Sequence, residues 1–324
     1  MKRNGKVGGE LKKAFFSAML RIRKVEEKIA DVYTDGQMRT PTHLSIGQEA
    51  VAVGVCAALN NVDQIFCSHR CHAHYLAKGG ELNALFAELC GRVDGCSEGR
   101  GGSAHLTDIQ AGVFASPILG AMIPVAVGAA LSFKMDNTKQ VAVAFFGDAA
   151  IEEGAFSESF NFAVLHHLPV LFVCENNLYS THTHLKSRQP ASSIHSRVST
   201  PELKARQADG NDVEEVYQLA HQEIEKCRIG KGPAFIEFLT YRIREHVGPL
   251  FDYDKGYRSK SEVESWIRKC PIKRLGKKLL RQNTISQKEI RLISEKVEQE
   301  AMEAYEKALR SPWPKTRTLL NHVY

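Results

Sequence analysis

Apolar residues near the start of the chain recur at helical spacing: Phe15, Met19, Ile22, Ile29 and Val32 fall on one face. This predicts an amphipathic helix running to about Tyr33. A second helix rich in Ala and Val is expected over 48–59, and 64–68 reads as a short strand. Leu82, Leu85, Phe86 and Leu89 again repeat at three and four positions, the mark of a helix with one buried face. The centre reads most clearly. The continuous apolar run 141–146 suits a strand covered on both faces, 152–166 a helix, and 169–174 a second such strand. Strand, helix, strand at this spacing is a parallel unit with a right-handed crossover. A helix over 211–229 and a strand over 234–241 come next, and Ser286 with Glu289 forms a capping box opening a helix to about Leu309.

Two stretches lack this periodicity. Residues 95–102 are glycine-rich, and 120–130 are small; the latter segment is expected to be buried, because Gly and Ala let backbones approach closely. The whole predicts an α/β fold with a doubly wound, mostly parallel sheet. It forms a single domain over 1–324, with N-terminal helices (1–60) and a C-terminal helical extension (260–324) as its parts.

Composition narrows the partners. The chain is 43% hydrophobic and 25% charged, as globular proteins are. No apolar run reaches the 18 or so residues of a membrane span. The basic start, 1–13, lacks an apolar signal core, so no secretory or transit segment is expected, and the eight cysteines read as reduced thiols in a bacterial-type cytoplasm. The net charge of +6 is scattered rather than gathered into a stripe, which argues against nucleic acid. No Gly-x-Gly-x-x-Gly follows a strand, which argues against a nicotinamide enzyme.

Candidate chemistry lies at the strand ends, where parallel sheets bind ligands. Asp148 follows the first central strand; Asn176 and Asn177 follow the second, 28 and 29 positions later. Taken alone, an Asp after a strand is most often a helix cap. With neighbouring strands, however, a carboxylate, an amide oxygen and a main-chain carbonyl meet at one edge. Such hard oxygen ligands suit Mg²⁺ and leave room for phosphate oxygens. Gly147 lets a ligand approach the backbone, and the following helix turns its positive end to an anion.

Gly147-Asp148-Ala149, 26 residues, then Asn176-Asn177 resembles the thiamine-diphosphate motif. Nearly the whole chain resembles the alpha subunit of the two-chain 2-oxo acid dehydrogenases (pyruvate and acetoin dehydrogenase alpha-like). The likeness runs through His43-Leu44-Ser45-Ile46-Gly47-Gln48-Glu49-Ala50, Ser68-His69-Arg70-Cys71-His72-Ala73-His74 and Gly99-Arg100-Gly101-Gly102-Ser103-Ala104-His105. It continues through Glu175-Asn176-Asn177-Leu178-Tyr179, Tyr241-Arg242, Tyr257-Arg258 and 311–324.

The resemblance implies thiamine diphosphate and Mg²⁺ as cofactors. Asp148, Asn177 and the carbonyl of Tyr179 would hold the metal. Arg70 would contact the diphosphate, Leu119 would be an apolar wedge under the cofactor, Gly120, Ala149 and Ala150 would offer main-chain contacts, and His69, Gly147 and His246 would also bind the cofactor. His72 and His246 match the family's active-site loop histidines, which would orient intermediates and move protons. His105 reads as structural. Two departures stand out: the family usually has Gly where this chain has Ala149, and the surroundings of His246, Glu245-His246-Val247-Gly248-Pro249, are unusual. His69, His72 and His74 with Cys67 and Cys71 also admit a zinc reading, but no second Cys/His group stands at finger spacing.

The implied activity is decarboxylation or cleavage of a small 2-oxo acid, with the product passed to a lipoyl carrier on a transacylase. The chain carries only the diphosphate half. A beta subunit with the pyrimidine-binding domain and a catalytic Glu would complete an alpha-two beta-two heterotetramer. The competing readings are an acyloin-forming or transketolase-type carboligase half-subunit and a non-catalytic assembly subunit.

Overall fold

The structure, a computed structural model, describes residues 7–190 and 193–321. The first six residues of the basic start and His322, Val323 and Tyr324 of the family-like chain end lie outside the described residues.

Six parallel strands form the central sheet: β1 (Gln64–Cys67), β2 (Val113–Ala115), β3 (Ala142–Gly147), β4 (Val170–Asn176), β7 (Arg206–Asp209) and β8 (Ala234–Leu239). Their order across the sheet is β2-β1-β3-β4-β8-β7. Between β4 and β7, β5 (Tyr179–Ser180) and β6 (Thr183–His184) make a small antiparallel hairpin. Alternation along the strands divides the core in two. Val143 and Phe145 of β3 face one cluster, whereas Ala144 and Phe146 face the other. The first cluster is covered by α1 (Gly9–Val32), α2 (Glu49–Cys56), α3 (His72–Lys78), α4 (Leu82–Leu89), α8 (Val213–Lys226), α10 (Pro271–Arg281) and α11 (Gln287–Arg310). The second is covered by α5 (Met122–Met135), α6 (Gly154–Leu165) and the short α7 (Ile194–Val198). Helix α9 (Lys260–Arg268) lies beyond β8, where Val263 joins the first cluster. The capping box at Ser286 and Glu289 is formed, and no helix among the described residues is long and apolar enough to cross a membrane.

The topology creates the site. From β1 the chain moves outward to β2, then crosses back to β3 on the other side of β1. The loops leaving β1 and β3 therefore part, and a crevice opens at their carboxyl ends. Gly147 pairs with Glu175 across β3 and β4, so Asp148 and Asn176 leave the sheet side by side.

Three expectations need correction. The helix expected over 152–166 forms as α6, Gly154–Leu165, but a 3₁₀ turn, Asp148–Glu152, stands between it and Asp148, so that turn and not the start of the helix adjoins the carboxylate. The segment 120–130 is only half buried. On α5, Ile123, Ala126, Val127 and Ala130 face the sheet, but Val125 is 50% exposed and Gly128 has open space where a Cβ would stand. One layer of helix covers this face, and none of the described residues packs on its outer side. The sheet also has two edge strands beyond those expected, β2 and β7.

Candidate active site

At the β3–β4 edge, Asp148 is 1% exposed. Burial pushes its pKa up, against the pull of Arg188, whose guanidinium bonds both Asp148 and Glu152. Arg188 comes from the loop beyond the β5–β6 hairpin, and Gln189 fixes the same Glu152 at 2.6 Å. The two asparagines separate. Asn176 turns to buried Glu237, donating Nδ2–H at 2.7 Å, and its Oδ1 accepts from Leu178 N–H. Asn177 donates to Gln48 Oε1 at 3.3 Å, while its Oδ1 accepts from Tyr179 N–H at 3.2 Å and keeps a second lone pair. The Tyr179 hydroxyl is tied to Glu262, which fixes this turn.

The residues fit a hard cation. Asp148, Asn177 and the Tyr179 carbonyl offer oxygen only, and a guanidinium already serves Asp148 as counter-charge. A Cβ on Gly147 would meet nothing within 4 Å, so space is open beside the carboxylate. The N–H groups at the start of the 3₁₀ turn have no partner within that turn; they belong to Ala149 and Ala150. Ala149 is buried and is not among the residues with positive φ, so its methyl is carried without backbone strain. Leu119, 39% exposed, and Gly120 stand on the turn after β2. Gly120 has φ +76°, and an added Cβ would sit 3.2 Å from the Glu153 side chain, so glycine is required there.

Across the crevice lies a group of histidines. The rings of His43, His69 and His246 stand 4.4, 4.9 and 5.3 Å apart, centre to centre. His69 and Arg70 leave β1; His246 sits on the loop after β8. Burial, then the neighbouring Arg70, lowers His43 to about 4, His69 to about 2 and His246 to about 3. All three imidazoles are neutral at pH 7. Arg70 is itself pushed down to about 9 by burial and by Arg242; it donates to Leu44 O at 2.6 Å and reaches His246 O at 3.5 Å.

His72 stands apart from this group. It opens α3 and is fully buried, with Nδ1 3.1 Å from the Glu26 carboxylate and Nε2 2.8 Å from the Ser103 hydroxyl. Both ring nitrogens are thereby used in joining α1, α3 and the glycine-rich loop. That loop is gathered by one buried carboxylate: Glu88 accepts the N–H groups of Ser97, Gly99, Gly101 and Gly102. His105 closes it by bonding Gly101 O.

The loop carrying His246 is held from below. Asp252, fully buried, lies between Arg242 and Arg258 and also bonds the Tyr257 hydroxyl. The unusual Glu245 folds back to accept Leu250 N–H at 3.0 Å and Lys255 at 2.7 Å. Gly248, at φ +106°, donates to Thr42 O and ties this loop to the one bearing His43.

Sequence pattern assigns no role to three residues of the site: His43, Gln48 and Arg188. His43 and Gln48 lie within the family-like run before α2, which is the available signal; Arg188 gives none.

Known proteins resemble the chain along nearly its whole length. The family model described as the dehydrogenase E1 component matches residues 17–317. The chain is 38% identical to the alpha subunit of acetoin:2,6-dichlorophenolindophenol oxidoreductase from Bacillus subtilis, over 95% of this chain and 92% of that one. It is 36% identical to the pyruvate dehydrogenase E1 component subunit alpha of Rickettsia bellii, over 95% and 94%. The corresponding subunit of Porphyra purpurea is also 36% identical, over 95% and 91%. A parallel sheet with its crevice at the β1–β3 switch, an oxygen-lined edge beside it and these relatives across nearly the full length place the chain in the dehydrogenase E1 component family, among its alpha subunits.

Proposed function

We propose that this chain binds the diphosphate end of thiamine diphosphate through Mg²⁺ and acts as the alpha subunit of a 2-oxo acid dehydrogenase. What supports this reading is the register of β3 on β4, which brings Gly147 beside Glu175 so that Asp148 and Asn176-Asn177 leave neighbouring strand ends, with Asn177 held on Tyr179 N–H and open space at Gly147. In this reading Asp148, Asn177 and the Tyr179 carbonyl hold Mg²⁺. The N–H groups of Ala149 and Ala150 face the diphosphate with Gly120, Gly147, His69, Arg70 and His246, and Leu119 supports the cofactor. When bound, thiamine diphosphate supplies a thiazolium carbon that attacks the 2-oxo carbonyl and accepts electrons as CO₂ leaves.

The chain's own groups bind and orient. With values near 2 to 4, His43, His69 and His246 are weak bases. They serve better as neutral donors and lone-pair acceptors that position an anion beside Arg70 than as groups abstracting protons. His72 then acts through Ser103 and Glu26 on the walls of the site.

A beta subunit supplies the pyrimidine half and its Glu. The exposed apolar outer face at Val125, Phe162 and Leu165 supports a partner there, since a monomer rarely leaves such side chains together uncovered. The acyl unit passes to a lipoyl transacylase. The test is assay of the full chain with and without its companion subunit, using 2-oxo acids or ketose phosphates and an artificial electron acceptor. Turnover of 2-oxo acids that needs both chains, thiamine diphosphate and Mg²⁺ is expected. Turnover of ketose phosphates alone, or by this chain alone, contradicts the reading.

A further inference from the structure

Behind the oxygen-lined edge lies a fully buried carboxylate, Glu237 of β8. It stands opposite Cys174 in the register of β8 on β4, and Cys174 belongs to the second core cluster, so the side chains of Glu237 and Asn176 share that face of the sheet. Among the described residues no lysine or arginine pairs with Glu237; its ionic neighbour is His195. Its two oxygens are divided. Oε1 accepts Asn176 Nδ2–H at 2.7 Å. Oε2 accepts His195 N–H and Gln207 Nε2–H, each at 2.9 Å, and lies 3.1 Å from His195 Nδ1. Only a carboxylate accepts on both sides; a glutamine of the same shape would turn donors toward Asn176 or toward His195 and Gln207.

The bond from Glu237 decides which way round the Asn176 amide stands. With Nδ2 held there, Oδ1 is left to accept Leu178 N–H at 3.0 Å. Leu178 has φ +73°, in the left-handed region that an L-residue enters only at a cost. Its neighbours on either side are Asn177 and Tyr179. Two hydrogen bonds in series therefore run from a buried carboxylate to the residue whose strained backbone sets where the Asn177 amide oxygen and the Tyr179 carbonyl stand. We propose that Glu237 is a positioning residue for the metal: through Asn176 it holds the Leu178 turn in the conformation that brings these two oxygens to one cation. This rests on the assignment of Asp148, Asn177 and Tyr179 as the Mg²⁺ ligands. Partners behind the ligands orient them at metal sites, and their loss lowers metal affinity by about 10–100-fold.

The test uses the assembled enzyme, freed of cofactor, with thiamine diphosphate added back. Mn²⁺ replaces Mg²⁺ as an ion of the same oxygen preference, and its binding is read by electron paramagnetic resonance. In Glu237→Gln the new amide faces the Asn176 amide, donor to donor; Asn176 turns over and its oxygen leaves Leu178. Mn²⁺ affinity should fall by about tenfold or more, and hydrogen exchange at Leu178 N–H should quicken. Glu237→Gln combined with Asn176→Asp reverses donor and acceptor at constant net charge: the new amide donates, and the new carboxylate accepts from it and from Leu178 N–H. Most of the lost affinity should return. Should Glu237→Gln fail to assemble, Asn176→Ala leaves the carboxylate its other donors and should show the same loss. Unchanged Mn²⁺ affinity with a lowered melting temperature means a role in stability alone and overturns the proposal, as does a double variant no tighter than Glu237→Gln. Asp148→Asn separates the two assignments. If it abolishes Mn²⁺ binding while Glu237→Gln leaves it intact, the metal site stands and the positioning role falls. If the wild type does not bind Mn²⁺, or Asp148→Asn binds it equally well, both fall.

Discussion

The two sides of the crevice are built differently. The histidine side rests on a buried polyelectrolyte: Arg242, Asp252 and Arg258, each 4% exposed or less, locked together beneath the loop that carries His246. The carboxylate side rests on one long side chain, Arg188, reaching from a surface loop to Asp148 and Glu152. The first is tied down because one buried carboxylate is shared by two buried guanidinium groups and a tyrosine hydroxyl. The second is exchangeable, because Arg188 holds Asp148 as a cation and another cation can take its place. A site that must admit a charged cofactor thus pairs a fixed wall with a replaceable counter-ion.

The sharpest way to break this contrast is Asp252→Ala. It leaves two buried guanidinium groups facing each other, at a cost of about 3–5 kcal/mol in unfolding free energy. Denaturant unfolding checks this, and a loss below about 1 kcal/mol would mean that the loop is not held by its charges.

Lowering the pH probes the same wall. The values of His43, His69 and His246 in the folded chain lie below the ordinary 6.5. As the pH falls below 6.5, the unfolded chain takes up protons that the folded one refuses, so the stability present above 6.5 is lost toward the folded values. His69 alone accounts for up to about 1.4 kcal/mol per pH unit. Thermal unfolding between about pH 7 and pH 5 should fall more steeply for the wild-type chain than for His69→Gln; equal slopes would remove these histidines from the account.

The smallest expected effect is on the other side. Arg188→Gln removes the competing cation, and Mg²⁺ affinity, read by calorimetry with thiamine diphosphate present, should rise several-fold, or about 1 kcal/mol. A fall would make Arg188 a partner of the diphosphate rather than a stand-in for the metal.

The carboxylate side is the more legible of the two in the sequence. The apolar runs of β3 and β4 mark central strands, and a residue just past the end of such a strand must lie at the sheet edge, so pattern alone places Asp148 and Asn177. The edge strands are not readable: β2 is three residues long, and β7 reads Arg-Gln-Ala-Asp, with no apolar face. The histidine side depends on contacts that no local pattern carries. His43 meets His246 across 203 positions of chain. Which of His69, His72 and His74 faces the crevice depends on where α3 begins. It begins at His72, leaving His69 on the loop and drawing His72 into the interior. Arg188 sits in a polar loop like many other arginines, and only the fold shows that it reaches Asp148.

The most direct test of the central claim, that this chain supplies the metal-held diphosphate site, is calorimetric titration of thiamine diphosphate with and without Mg²⁺ into the assembled enzyme carrying wild-type or Asp148→Asn chain. The account predicts Mg²⁺-dependent binding to the wild type and a loss of about 100-fold or more in the variant, or some 2.7 kcal/mol. Equal, Mg²⁺-dependent affinity in both would contradict it.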